Sequence, residues 1–184
     1  MSFRYEIRLS GEGGQGLVLA GKILAEAAAI YEGMNATQSQ SYGPEARGGA
    51  SRSEVILSDE DIDFPKAMQL DLLLALTQEA CDRYVKDLKP TGALLVDSDA
   101  VKNLPKGSFR LYPVPLIRNA KEKVGREVVA NIVALGFITR MLKVVSVDSI
   151  REAILTRVPK GTEEINQKAF DLGLSMADEC CGGE

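Results

Sequence analysis

A chain of 184 residues with a net charge of −4 is long enough for one domain with its own apolar core. Its acidic balance gives a nucleic-acid role no electrostatic footing. No apolar run reaches the ~20 residues of a membrane span and no basic-then-apolar leader opens the sequence, so a cytoplasmic protein without membrane contact is expected. Histidine is absent, which removes the commonest general base and metal ligand. Catalysis by this chain alone would fall to carboxylates, lysines or tyrosines. The cysteines, Cys81, Cys180 and Cys181, form no C-x-x-C pair and no cluster-binding spacing; free thiols are expected.

In Phe3–Leu9 the apolar residues fall at 3, 5, 7 and 9, the period of a strand. From Leu17 to Ile30 apolar residues recur at helical spacing, and Gly33 supplies a stop. Between them lies Gly11-Glu12-Gly13-Gly14-Gln15-Gly16, a G-x-G-x-x-G pattern in a strand-to-helix turn. There, glycines tolerate positive φ and the first N–H groups of the helix face outward. The ribose-binding carboxylate of a dinucleotide fold should follow about 20 positions on. Met34–Ser39 contains none and Glu32 comes too early, so an NAD enzyme is not expected. A tight turn needed only for packing is the plain alternative to an anion or partner contact.

Met34–Gln38 reads as a short second strand and Ser39–Ala50 as a long loop by composition. Ser51–Leu57 reads as a strand that pairs antiparallel, since no helix precedes it, and Ser58–Asp61 as an acidic turn. Leu70–Leu76 is a near-continuous apolar run, as in a strand buried on both faces. Thr77 is a candidate N-cap for a helix through Leu88, with Glu79 in its first turn. Lys89–Gly92 punctuates the chain before a buried strand at Ala93–Asp97. Phe109–Pro115 gives a last strand broken by prolines. Lys121–Lys123 and Arg126–Glu127 read as a solvated helix face. Helices are expected near Val128–Leu142, Val147–Thr156 and Thr162–Asp178. The alternation predicts an α/β, Rossmann-like three-layer sandwich: a mainly parallel sheet, helices on both faces and a helical C-terminal part.

The glycine loop, together with Ser41-Tyr42-Gly43-Pro44-Glu45-Ala46-Arg47-Gly48-Gly49, resembles the signature of the gamma subunit of 2-oxoacid:ferredoxin oxidoreductases. The strand Asp71–Ala75, Leu95-Val96-Asp97-Ser98 and Asn131–Gly136 fit the same family in order and spacing. The resemblance spans residues 1–184 as a single gamma domain. It is closest to the 2-oxoglutarate, pyruvate and branched-chain group. It implies a non-catalytic subunit of a complex that converts a 2-oxoacid and coenzyme A to an acyl-CoA, carbon dioxide and reduced ferredoxin, with 2-oxoglutarate as the first expectation. It implies alpha and beta partners, with delta a further candidate, and ferredoxin acting through the complex. Thiamine diphosphate, magnesium and iron–sulfur clusters are expected on partner subunits and none on this chain, with coenzyme A as co-substrate. Catalytic and metal-ligating residues are accordingly expected to be none.

The residues open to ligand or partner contact are in the two loops. Backbone N–H groups of Gly13, Gly14, Gln15 and Gly16 suit a phosphate or a partner carboxylate. Arg47 offers a planar cation for phosphate or carboxylate, and Gly48 and Gly49 would let that loop lie close to another surface. The plain reading of Arg47 is a salt bridge with Glu45 or Glu54. Tyr42 is a candidate interface anchor. Asp97 and Asp99, at a strand end, suit a ligand or a cap. A stand-alone nucleotide-binding enzyme and a purely structural scaffold are the competing readings. Without its partners, the chain is expected to form a homodimer or weak oligomer through uncovered interface.

Overall fold

The computed structural model describes residues 3–42 and 49–181. Strand β1 (Arg4–Glu12) leads through the glycine turn into helix α1 (Leu17–Glu26), which widens into a π turn at Ala27–Tyr31. Gly33, at φ 69°, releases the chain into the antiparallel strands β2 (Asn35–Tyr42) and β3 (Ala50–Ser58). Then come β4 (Leu70–Ala75), α2 (Gln78–Tyr84), β5 (Leu88–Asp97) and β6 (Arg110–Val114). A short α3 (Leu116–Asn119) runs into a π turn at Ala120–Val124. Helices α4 (Ala130–Leu142), α5 (Val147–Arg157) and α6 (Glu163–Cys181) follow.

The strands form one sheet in the order β2-β3-β1-β4-β5-β6. β1, β4, β5 and β6 pair in parallel, and β3 alone runs against its neighbours. The chain leaves β1 toward one edge and returns at β4 on its other side. The carboxyl end of β1 is therefore a topological switch point, where open α/β sheets place their ligands.

Side chains alternate across the strands, so each face collects its own core. Ile7, Leu9, Val55, Leu57, Leu72, Leu74 and Leu95 bury against the helical layer of α1, α4, α5 and α6. Ile56, Leu73, Ala75, Leu94 and Val96 turn the other way, toward Ala80, Cys81 and Tyr84. Helix α4 is buried at every residue from Ala130 to Thr139, as befits a helix covered all round. Its closest neighbour is α6, and Gly136 and Gly173 are the reason. A Cβ on Gly136 would lie 2.3 Å from the Phe170 carbonyl oxygen, and one on Gly173 would lie 2.0 Å from that of Val133.

Three expectations are corrected. Ser39–Tyr42 is not loop: it extends β2, paired residue by residue with Ser51–Glu54, because ladder hydrogen bonds are made by the main chain and an edge strand tolerates polar side chains. The helix after Thr77 stops short of Leu88, with a 3₁₀ turn at Val85–Asp87. Lys89–Gly92 belongs to β5, as an irregularity: the register jumps from Leu70↔Leu88 to Leu72↔Ala93, a bulge that absorbs Pro90 and Gly92. Other readings hold. Thr77 caps α2, its hydroxyl accepting from the Ala80 N–H at 3.2 Å. Pro113 sits in the edge strand β6, where a missing N–H is tolerated. Lys121, Glu122 and Lys123 are exposed.

Candidate functional site at the glycine turn

Gly11 closes against its surroundings: a Cβ there would lie 2.1 Å from Gln15 Oε1 and 3.2 Å from Leu76 Cβ. The Gln15 side chain folds back instead of reaching outward, its Oε1 accepting from the Glu12 N–H at 2.7 Å. Gly14 and Gly16 take positive φ, 91° and 72°, and Gly16 caps α1 without a side chain. The Gly16 carbonyl accepts from the Asn131 amide, Nδ2, at 2.9 Å. A Cβ on Gly16 would strike that same amide at 2.4 Å. Asn131 is buried, so the start of α1 is pinned to the start of α4.

The second glycine loop reaches the first through one described residue. The Gly13 N–H donates to the Gly49 carbonyl at 2.9 Å, while the Gln15 N–H turns inward to the Glu12 carbonyl at 3.3 Å. Two of the four N–H groups expected to face a ligand are thus engaged within the chain. Arg47 and Gly48 lie outside the described residues, as do Glu45 and the rest of residues 43–48. Tyr42 closes the β2 ladder opposite Ser51. Glu54 pairs with Arg8 at 2.8 Å; its expected pairing with Arg47 lies outside the described residues.

A cavity of about 280 Å³ opens beside the turn, bounded by Gly14, Gln15, Leu76, Ile117, Glu127 and Val128. A second, of about 180 Å³, is lined by Gly16 together with Leu19, Arg126, Asn131 and Asn166. Val128 borders both and is 62% exposed. Drug-sized ligands occupy pockets of roughly 300–1,000 Å³, so each hollow is a partial enclosure. Leu76, Ile117, Arg126, Val128 and Asn131 were not identified as site residues from sequence. The near-continuous apolar run assigned Leu76 to the core, and charge assigned Arg126 to solvent.

Asp97 is committed to structure. Fully buried, its Oδ1 accepts from the Asp99 and Ala100 N–H groups at 3.0 Å and its Oδ2 from Ile117 N–H at 2.9 Å, fastening the end of β5 to α3. Asp99 pairs with Arg118 at 3.2 Å. Burial, with the nearby Asp82, pushes the Cys81 thiol up to about 11, which leaves it protonated and unreactive at neutral pH. Among the described residues no group of three or more histidine, cysteine or acidic side chains is placed to hold a metal. No described helix is long and apolar enough to cross a membrane.

Residues 6–176 match the pyruvate ferredoxin/flavodoxin oxidoreductase family. The chain belongs to that family. Within it the similarity is to gamma subunits. The 2-oxoglutarate synthase subunit KorC of Methanocaldococcus jannaschii is 52% identical over 181 residues, covering 97% of both chains. The crystal structure of a keto/oxoacid ferredoxin oxidoreductase gamma subunit from Geobacter sulfurreducens superposes with a TM-score of 0.88 at 57% identity, covering 95% of this chain and 97% of that one. The fold also recurs within a longer chain. A 2-oxoglutarate:ferredoxin oxidoreductase from Magnetococcus marinus matches 96% of this chain with 31% of its own, at a TM-score of 0.84 and 24% identity. In this chain the six-stranded α/β unit joins the first glycine turn to Gly49 through the Gly13–Gly49 hydrogen bond.

Proposed function

We propose that this chain is the non-catalytic gamma subunit of a cytoplasmic 2-oxoglutarate:ferredoxin oxidoreductase, and that its glycine-turn edge forms one wall of a site completed by a partner subunit. The complex joins 2-oxoglutarate to coenzyme A, giving succinyl-CoA and carbon dioxide with the electrons passing to ferredoxin. Thiamine diphosphate, magnesium and iron–sulfur clusters belong to the alpha, beta and delta partners. The substrate assignment draws on the end-to-end match to a 2-oxoglutarate synthase subunit.

The observation that carries the site is the pair of open hollows along the glycine turn that share Val128. Each is too small for coenzyme A, and the exposed Val128 between them is suited to a partner's apolar surface. Gly14 and Gly16 let the main chain come close to that surface, and the Gly13–Gly49 bond holds Gly49 beside it, with Arg47 and Gly48 directly preceding Gly49 in sequence. Arg47 supplies the cation for a coenzyme A phosphate or a partner carboxylate. Before assembly the uncovered patch drives weak self-association. The isolated chain should therefore scatter light as a dimer or larger at high concentration.

The test is anaerobic co-purification followed by steady-state kinetics. The assembled enzyme should turn over 2-oxoglutarate with the highest kcat/KM of the 2-oxoacids tried. Arg47→Glu should raise the KM for coenzyme A while the chain still assembles. An unchanged KM with normal assembly removes the coenzyme A contact, and a preference for pyruvate removes the substrate assignment.

A further inference from the structure

The face of the sheet turned away from α1, α4 and α6 carries a second concentration of chemistry at β1, β3 and the end of α2. A pocket of about 330 Å³ is lined by Arg8, Arg52, Lys66, Arg83, Lys86 and Asp87, with Tyr84 among them. Three guanidinium groups gather around the Tyr84 ring, Arg8 at 4.8 Å from its centroid, Arg52 at 5.6 Å and Arg83 at 5.7 Å. Each is within reach of a cation–π contact. Arg8 is buried and doubly paired, with Glu54 at 2.8 Å and Asp87 at 2.5 Å, and Glu54 also lies 3.7 Å from Arg52. Those two carboxylates are the anionic complement of the cluster. Lys66, Arg83 and Lys86 are exposed and form no ion pair among the described residues.

The result is a local cationic excess on a chain whose net charge is −4. Like charges crowded together repel, and five cations against two carboxylates are electrostatically incomplete. The rim points to the kind of complement. Met68 borders the same pocket and is 57% exposed, as is Phe64 on the same loop. A rigid aromatic floor, a flexible apolar rim and arginines together make the composition of a protein contact.

We infer that the pocket around Tyr84 docks an acidic segment of a partner subunit, whose carboxylates sit among Lys66, Arg83 and Lys86 with an apolar side chain against Met68. The inference rests on the gamma-subunit reading, and it places a second interface away from the glycine turn. Arg8, fixed by its own pairs, holds Tyr84 and the pocket floor in place. The exposed cations set the rate and salt dependence of docking.

The test compares wild type with Lys66→Glu/Arg83→Glu/Lys86→Glu, and with the charge-neutral Lys66→Gln/Arg83→Gln/Lys86→Gln in case the reversal perturbs folding. Both are reconstituted with the purified partner subunits over a range of salt. The expected result is at least a tenfold loss of affinity at low salt, a flattened salt dependence and an unchanged melting temperature. Carbodiimide treatment of the wild-type complex should join Lys66 or Lys86 to an aspartate or glutamate of another chain. Unchanged affinity and salt slope in the neutral variant overturn the inference. So does normal assembly with a raised KM for coenzyme A, which would make the pocket a small-anion site. A wild-type chain that recruits no partner at any salt overturns the subunit reading, and this one with it.

Discussion

The two faces of the sheet both carry an apolar core, but only the second adds buried charges to it. Toward α1, α4, α5 and α6 the strands present aliphatic side chains, and glycines let α4 and α6 close until backbone meets backbone at Gly136 and Gly173. Toward α2, β1 and β3 present Arg8, Ser10 and Glu54, all buried, and satisfy them with ion pairs and with a hydrogen bond from Ser10 Oγ to the Leu74 carbonyl. Apolar burial stabilises by about 25 cal/mol per Å² with little regard to which atoms meet. A buried ion pair roughly offsets its own desolvation and stabilises little beyond an apolar equivalent, but it fixes geometry. The first face holds the fold together; the second spends its polar groups on a shaped, charged surface.

The sharpest break of that contrast is Arg8→Met. It strands Glu54 and Asp87 and should destabilise by about 3–5 kcal/mol in denaturant titration. Arg8→Met/Glu54→Leu should recover much of the loss, since replacing a whole buried pair by apolar groups is often neutral. If the double variant is as unstable as the single, the second face depends on its charges after all. Next comes Gly173→Ala. An alanine in an open helix position gains about 1 kcal/mol over glycine. Here its Cβ meets a backbone oxygen, and overpacking should reverse the sign to a loss of about 2–3 kcal/mol. Gly14→Ala is the companion test, because a Cβ there meets nothing within 4 Å. The cost should be only the left-handed backbone, about 1–2 kcal/mol.

The smallest effect is a pH dependence. Glu6 is buried, and burial alone would raise its pKa. Hydrogen bonds from the Gln69 N–H, the Arg4 side chain and the Met68 N–H outweigh it and hold the carboxyl below its ordinary 4.5. Bonds from Ser146 and Ser149 do the same for Glu32. A carboxyl whose folded pKa is depressed contributes stability in full above its unfolded value and loses it as pH falls through the folded one. Stability should therefore decline below pH 4.5, and Glu6→Gln should flatten that acid limb in melts taken across the range.

Much of the fold's regular structure was legible. Alternation in β1, the near-continuous apolar run of β4 and the Thr77 cap are local signals, and the structure contains all three. The glycine turn was legible as a turn, but its engagement with Gly49 and Asn131 was not, because those partners lie far along the chain. The hairpin was underestimated because Asn35–Tyr42 is polar, and polarity says nothing about main-chain pairing at an edge. The second face was the least legible. Arg8 looks like the solvent side of an alternating strand, yet the carboxylates that allow its burial lie 46 and 79 residues away. The hollows around Gly16 drew on Leu76, Ile117, Arg126 and Val128, residues whose types point only to core or solvent.

The central position of β1 also fixes an order of assembly. Its antiparallel neighbour lies 46 residues on at the Arg8–Glu54 contact, and its parallel neighbour 64 residues on at Ser10–Leu74. By contrast, β2 and β3 are joined by a short connection. Loop closure makes distant pairings slow, so the hairpin can form early while β1, the first strand made, stays unpaired on both sides. During synthesis at about 5–20 residues per second, the glycine turn exists as sequence for several seconds before the strands beside it can hold it in shape. The site is therefore among the last parts of the domain to be completed, although it lies at the start of the chain.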